Sequence, residues 1–137
     1  MTEISDIRTR AEIESVLVEW AWLIDQGRAE EAAVFFTQDA EQSVAGVTAC
    51  GIDAIAKGLK RRAEMTGRTS RHVISNLRLS MPSDTIVEAN WILTLYRSDD
   101  ANRPAKPIMV NDVRDTFRKV ADGWKISSRK IVPVFSD

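Results

Sequence analysis

Hydrophobic positions near the start of the chain recur with the spacing of a helix. The apolar residues that fall three or four positions apart on one side are Ile13, Val16, Leu17, Trp20, Leu23 and Ile24. Thr9 and Glu12 match a capping box at the start of this helix, and Gly27 supplies a left-handed stop at its end. The pattern predicts an amphipathic helix whose apolar side belongs to the core.

The same predicted helix has a second stripe on its opposite side, formed by Val18, Ala21, Trp22 and Asp25. A helix that is apolar on two sides is covered on both, or lines a cavity with one of them. Asp25 falls in the last turn, where the helix dipole disfavours a negative charge by about 0.3–1 kcal/mol. A carboxylate there needs a partner, so we interpret Val18, Trp22 and Asp25 as a candidate pocket wall.

The next part of the chain predicts three shorter elements. A short helix is expected at Ala29–Phe36, a strand at Glu41–Val47 and a third helix at Ile52–Thr66. The third helix has a cluster of basic residues at Lys57, Lys60, Arg61 and Arg62. We interpret this cluster as a solvated face, with the rim of an anion-attracting pocket as the alternative.

From Thr69 onward the hydrophobic period changes to two, as in β-strands. Four segments rich in β-branched and aromatic residues are separated by turn-forming residues: Thr69–Ser80, Thr85–Arg97, Pro107–Val120 and Trp124–Phe135. Three helices followed by an antiparallel meander indicate an α+β fold in which helices cover one face of the sheet. The length of 137 residues and the absence of repeats predict one domain spanning residues 1–137.

The second of these strands presents two different faces. One face mixes polar and apolar groups, as a ligand cavity does: Ile86, Glu88, Asn90, Ile92, Thr94 and Tyr96. The other face is continuously apolar: Val87, Ala89, Trp91, Leu93 and Leu95. We therefore expect Asn90, Ile92 and Tyr96 to line a pocket, and the apolar face to form an interface between subunits.

Composition excludes several classes of function. The 19 basic and 20 acidic residues are interleaved, which argues against nucleic acid as a partner. No apolar run approaches the roughly 18 residues of a membrane helix, and the first residues lack signal-peptide features, so we expect a cytoplasmic protein without membrane attachment. Cys50 is the only cysteine and no residues have zinc-ligand spacing, while a glycine-rich phosphate loop is absent. We expect neither a metal nor a cofactor.

The candidate chemistry depends on His72, the only histidine in the chain. Histidine titrates nearest neutrality, so His72 beside a buried carboxylate is a candidate acid/base group. Asp25 would hold one ring nitrogen and leave the other facing the cavity as a proton acceptor. The alternative is a structural contact that ties helix to sheet.

A proton abstraction also needs a group that stabilises negative charge on a substrate oxygen. The candidates for this role are Arg129, Tyr96 and Asn90. Arg129 has an alternative role as an ion-pair partner on the outside of the sheet. The charged residues Asp112, Arg114, Asp115 and Arg118 favour cross-strand ion pairs over a metal site.

Five short motifs follow one another along the chain: Leu23–Arg28, Phe35–Ala40, Gly51–Ile55, Arg71–Asn76 and Asp122–Ile126. In this order they resemble the SnoaL-like branch of the nuclear transport factor two-like superfamily, over nearly the whole chain. The resemblance implies a cone, in which a curved mixed sheet wraps around a pocket that helices close. Within this superfamily, the chain is most similar to the scytalone dehydratase and hexachlorocyclohexane dehydrochlorinase relatives. In these relatives an Asp on a helix pairs with a His on a strand, and the matching residues here are Asp25 and His72.

The resemblance and the residues together predict a cofactor-independent lyase of the dehydratase type, or an isomerase, acting on a small, cyclic, mostly apolar substrate. Scytalone dehydratase uses a second histidine and a tyrosine pair, whereas this chain has only His72 and Tyr96, so the substrate is not implied. The segment Trp124–Ile131 is also similar to the β subunits of ring-hydroxylating dioxygenases. A non-catalytic ligand-binding or structural subunit is therefore the alternative. The family implies a homo-oligomer, dimer or trimer.

Overall fold

The computed structural model describes residues 3–100, 107–121 and 123–136. The helices are α1 (Glu3–Asp25), a short 3₁₀ helix (Ala29–Phe35) and α2 (Ile52–Glu64). The strands are β1 (Phe36–Val44), β2 (Val47–Cys50), β3 (Thr69–Ser83), β4 (Ile86–Ser98), β5 (Pro107–Val120) and β6 (Gly123–Ser136). Residues 101–104 of the turn predicted at Ser98–Pro104, and the motif residue Asp122, lie outside the described residues.

The six strands form one open sheet in the order β2-β1-β6-β5-β4-β3. Strands β3 to β6 are an antiparallel meander, as the alternating pattern predicts, and β1 joins β6 in parallel. Helix α1 packs against β3 and β6 on one face of this sheet. The predicted α+β class, with helices against a curved mixed sheet, is confirmed.

The predicted strand Glu41–Val47 is correct for Glu41–Val44, which lie in β1, but wrong beyond them, because the chain then turns. Strand β1 ends at Val44, and the two-residue turn Ala45-Gly46 leads directly into β2. Both turn residues have positive φ, 50° and 83°, as the preferred two-residue hairpin turns require. Alanine is uncommon in this conformation, so the sequence lacks the usual hairpin signal at this point.

The predicted start of α1 at Thr9 is also wrong, since the helix begins at Glu3. Glu12 does not reach back to cap a helix start. It accepts instead from Arg8, at 3.2 Å, and from the indole N–H of Trp124, at 3.0 Å. The ion pairs Arg8–Glu12 and Arg10–Glu14 stabilise the helical turns around the predicted start.

Gly27 ends α1 in the left-handed conformation that the sequence predicts. Its φ is +78°, its N–H donates to the Ile24 carbonyl at 3.2 Å, and the Arg28 N–H donates to the Leu23 carbonyl at 2.8 Å. These two bonds form a Schellman motif, which satisfies carbonyls at the helix end. The motif fixes the last turn of α1, in which Asp25 lies.

We expect Gly27→Ala to lower the free energy of unfolding by about 1–2 kcal/mol, because an L side chain in the left-handed region costs that much. No atom lies within 4 Å of the added Cβ, so the effect is conformational. Urea denaturation measures it. Gly58→Ala, inside α2 and without a positive φ, is the control and should raise stability. Equal effects of the two substitutions would contradict this account of Gly27.

The apolar face of β4 faces the helices of its own chain. Val87, Ala89, Trp91 and Leu93 are between 0 and 3 % exposed, and they belong to one core with α1, β5 and β6. The prediction that this face is a subunit interface is therefore wrong. The alternation shows that these residues share a face, but the helix layer covers that face within one chain. The homo-oligomer stays a prediction without an assigned surface.

Candidate active site

The packing of α1 against β3 brings Asp25 and His72 together. Asp25 is the last residue of α1, and His72 is near the start of β3. The ring Nδ1 of His72 lies 2.6 Å from Oδ1 of Asp25, and their side chains are 12 % and 8 % exposed respectively. The two residues that the sequence singled out thus form a hydrogen-bonded, largely buried dyad.

The Asp25 carboxylate accepts three hydrogen bonds. Oδ1 accepts from the His72 ring and from the Ser70 hydroxyl, at 2.6 and 2.8 Å, and Oδ2 accepts from the His72 backbone N–H at 2.8 Å. Burial raises the pKa of Asp25, but the hydrogen bonds from His72 and Ser70 and the attraction of His72 together lower it below its ordinary value. Asp25 is therefore ionised at neutral pH, and these donors offset the unfavourable helix dipole.

An ionised Asp25 determines which nitrogen of His72 has the proton. A carboxylate only accepts, so Nδ1 must donate to it, and Nε2 of the neutral ring is left as an acceptor. Within the described residues Nε2 has no hydrogen-bond partner. The arrangement therefore provides an oriented nitrogen that is free to accept a proton.

The lowered pKa of Asp25 predicts a pH dependence of stability. A carboxylate whose pKa is lower in the folded state stabilises the fold above its ordinary value of 3.8, and this contribution is lost as pH falls through the folded value. We expect wild type to lose its stability advantage over Asp25→Asn on acidification below 3.8, measured by urea denaturation across pH. Asp84→Asn, at an exposed turn, is the control. A pH-independent difference between wild type and Asp25→Asn would contradict the assignment.

Ser70 and Arg62 extend the dyad toward α2, a role that was not predicted from the sequence. Arg62 Nη2 donates to Ser70 Oγ at 2.8 Å, and the Ser70 side chain is buried. Burial and the nearby charge of Arg68 lower the pKa of Arg62, which stays a cation at neutral pH. Two signals point to these residues: Arg62 follows the buried Leu59 by three positions, and Ser70 shares the β3 face of His72.

Arg129 lies on the face of the sheet that packs against α1, not on the outer face. Its Nε and Nη2 donate to the two carboxylate oxygens of Asp115 at 2.8 and 2.9 Å, and both side chains are fully buried. The guanidinium lies over three aromatic rings, 4.3 Å from the centroid of Trp20, 5.5 Å from Trp91 and 5.7 Å from Phe36. The predicted ion pair therefore exists, but it is in the core beside the candidate site.

Trp20 connects this core pair to the dyad, because its ring meets the His72 ring edge to face at 5.4 Å. Among the described residues, two buried side-chain polar atoms have no hydrogen-bond partner: Nη1 of Arg129 and Oδ1 of Asn111. Asn111 is directly opposite Leu93 on the inner face of the sheet. Asn111 was not among the residues predicted from the sequence, although a polar residue in an inward, alternating position of β5 is a usable signal.

The structure does not place Trp22 and Val18 in an enclosed pocket with the dyad. They are 56 and 59 % exposed, so the second stripe of α1 faces outward near its middle. Val18 lines a cavity of about 310 Å³ along the seam between α1 and β3, together with Ile74 and Leu77. The interpretation of Trp22 as a pocket wall is wrong, since no element among the described residues covers this part of the helix.

The prediction that Asn90, Ile92 and Tyr96 line the pocket of His72 is also wrong. Leu95 is directly opposite His72 in the β3–β4 ladder, so Tyr96 points to the other face of the sheet. Asn90 and Ile92 line a cavity of about 310 Å³ on that outer face. Alternation correctly separates the two faces of β4, but it does not tell which of them meets the helices.

The comparison with known families agrees with this architecture. The profile of the SnoaL-like domain matches residues 5–130. The chain belongs to this family. The family has the fold of the nuclear transport factor two-like superfamily, and its members include polyketide cyclases and dehydratases, so the resemblance inferred from the five motifs is confirmed.

Solved structures extend the likeness to the whole chain. A candidate scytalone dehydratase from Novosphingobium aromaticivorans is 26 % identical, with a TM-score of 0.87 over 100 % of this chain and 91 % of that one. An NTF2-like protein with a cystatin-like fold from the same organism is 21 % identical, with a TM-score of 0.84 over 98 and 87 % of the two chains. ActVI-ORFA from Streptomyces coelicolor is 20 % identical, with a TM-score of 0.80 over 91 and 97 %.

Three absences accompany these similarities. The comparison with curated proteins found no match to this chain. In the part of the chain that the structure describes, no helix is long and apolar enough to cross a membrane. The same residues contain no group of three or more His, Cys, Asp or Glu side chains placed to hold a metal ion.

Proposed function

We propose that this protein is a cofactor-independent enzyme that removes a proton beside the carbonyl of a small, cyclic, mostly apolar substrate. The observation that supports this most is the His72 ring, whose Nδ1 meets the ionised Asp25 while Nε2 has no partner among the described residues. A base held in this way combines a fixed tautomer with an oriented acceptor nitrogen. Membership of a family that includes dehydratases supports the same chemistry.

The favoured reaction is elimination of water from a β-hydroxy ketone. Nε2 of His72 takes the proton from the α-carbon, and the electrons of that C–H bond form an enolate. Asp25 stabilises the imidazolium that results. The enolate then expels the β-hydroxyl group, which takes a proton from the imidazolium and leaves as water. The products are an enone and neutral His72, and proton transfer of this kind contributes typically 10²–10⁴-fold.

Arg129 and Asn111 are our candidates for contacting the substrate. Asp115 occupies Nε and Nη2 of Arg129, while Nη1 is buried without a partner and can donate to an enolate oxygen. Oδ1 of Asn111 can accept from a substrate hydroxyl, because it too is buried and unpartnered. Both atoms favour a substrate with a carbonyl or hydroxyl group.

Isomerisation is the adjacent alternative, since it begins with the same proton transfer. The imidazolium would then return the proton to another carbon, and no group would leave. We favour elimination because the 26 %-identical structure is that of a candidate scytalone dehydratase.

A non-catalytic ligand-binding or structural subunit is the second candidate function. It is supported by the three aromatic rings that pack around Arg129 and fill the core beside it.

The experiment uses two ketones that separate these functions. Scytalone, a β-hydroxy ketone, can lose water, whereas β-tetralone has acidic α-protons and no leaving group. We expect wild type to form the dehydrated product from scytalone and to exchange the α-protons of β-tetralone for deuterium in D₂O, both followed by NMR. Exchange without elimination would support an isomerase. Binding without either reaction would favour the ligand-binding subunit and contradict the proposal.

A further inference from the structure

We propose that Ser70 and Arg62 are positioning residues, which hold the Asp25 carboxylate so that it orients the His72 ring. This inference rests on the proposed role of His72 as base. The four side chains form one connected series from α2 to the dyad. Arg62 Nη2 is 2.8 Å from Ser70 Oγ, Ser70 Oγ is 2.8 Å from Asp25 Oδ1, and that oxygen is 2.6 Å from His72 Nδ1.

The direction of every hydrogen bond in this series is determined by its two ends. A guanidinium has no acceptor, so Arg62 must donate to the Ser70 oxygen. Asp25 is an ionised carboxylate and cannot donate, so the single Ser70 proton must point to it. The charge of Arg62 also polarises the hydroxyl and strengthens its donation. Ser70 therefore has one orientation, set by the cation behind it.

The Ser70 bond restricts how the Asp25 carboxylate can turn. Without it, the carboxylate is held only by the backbone N–H and the ring of His72, the group that it has to orient. Ser70 is 2 % exposed, so water cannot readily replace its hydroxyl. Helix α2 thereby supports the dyad through Arg62, although it contributes no group to the proposed chemistry.

Removing the Ser70 hydroxyl should therefore affect the reaction more than it affects binding. We expect Ser70→Ala to lower kcat for scytalone by about 10–100-fold, by analogy with the loss seen when a residue that orients a metal ligand is removed. KM should stay within a few-fold, because Ser70 acts through Asp25. Arg62→Met should lower kcat in the same direction, and Arg62→Lys should restore part of it. Ser75→Ala, also on β3 but without a contact to the dyad, should match wild type.

The NMR signal of the single histidine provides a readout that does not depend on turnover. A proton held between Nδ1 and a carboxylate gives a strongly deshielded, slowly exchanging signal. We expect this signal in wild type and in Ser75→Ala, and we expect it to broaden or disappear in Ser70→Ala and Arg62→Met. Circular dichroism checks that each variant is folded.

The outcomes separate this inference from the proposed function. If Ser70→Ala and Arg62→Met leave both kcat and the Nδ1 proton signal unchanged, the positioning role is overturned. If wild type turns over neither ketone, the proposed function fails, and the proton signal alone then decides whether Ser70 and Arg62 position Asp25. A loss of signal in Ser70→Ala with retention in Ser75→Ala supports the inference in either case.

Discussion

Replacing His72 by glutamine is expected to lower kcat/KM for elimination by about 10²–10⁴-fold, because the reaction loses its general base. Glutamine keeps a polar N–H group that can donate to Asp25, so the helix-to-sheet contact is retained while the acceptor nitrogen is removed. The initial rate of dehydration of scytalone measures the effect. Deuterium exchange into β-tetralone should fall in parallel, since it needs the same proton transfer.

Tyr96→Phe is the matched control for this prediction. Tyr96 was a candidate from the sequence, but it faces the opposite side of the sheet from His72. Removing its hydroxyl should leave kcat/KM unchanged. A large loss in Tyr96→Phe together with a small loss in His72→Gln would contradict the placement of the active site on the inner face.

Replacing Arg129 by methionine is expected to destabilise the fold by about 3–5 kcal/mol. The substitution removes the cation from a pair whose two side chains are both 0 % exposed, and it leaves the Asp115 carboxylate buried without compensation. Among the described residues, the indole N–H of Trp91 would then be the side-chain donor left on Asp115, at 2.9 Å. Urea denaturation measures the loss as a lower midpoint.

Two further variants show whether the charge is responsible. Removing both charges, in Arg129→Met with Asp115→Leu, should recover much of the stability, because no buried charge is left unpaired. Arg118→Met breaks the exposed pair with Asp39 and should change the midpoint little. If the double variant is as unstable as Arg129→Met alone, lost packing against the aromatic rings explains the effect and the electrostatic account is wrong.

Most of the fold could be predicted because it follows from local patterns. Strand β5 begins and ends at the predicted residues Pro107 and Val120, since turn-forming residues flank a clear alternation. The end of α1 could be predicted because Gly27 stops the helix through its own left-handed backbone conformation, which is a local property. The hairpin at Ala45-Gly46 was missed because an alanine with positive φ gives no local signal. The parallel pairing of β1 with β6 is a long-range contact that periodicity does not report.

The dyad could be predicted because Asp25 occupies an electrostatically unfavourable position and His72 is the only histidine. The rest of the site could not. Alternation groups Asn90, Ile92 and Tyr96 on one face, but a tertiary contact, the packing of α1, decides that the other face is the inner one. Arg62 belongs by sequence to a basic, solvated helix face, and only the approach of α2 to β3 gives it Ser70 as a partner.

In the proposed mechanism, Asp25 holds His72 with its proton on Nδ1 and leaves Nε2 free to accept another. Nitrogen-15 NMR of the imidazole ring measures this tautomer, because the chain has one histidine and its signals need no assignment among others. At a pH where the ring is neutral, we predict a protonated Nδ1 and an unprotonated Nε2, and in Asp25→Asn a loss of this preference. A neutral ring protonated at Nε2 in wild type would contradict the account.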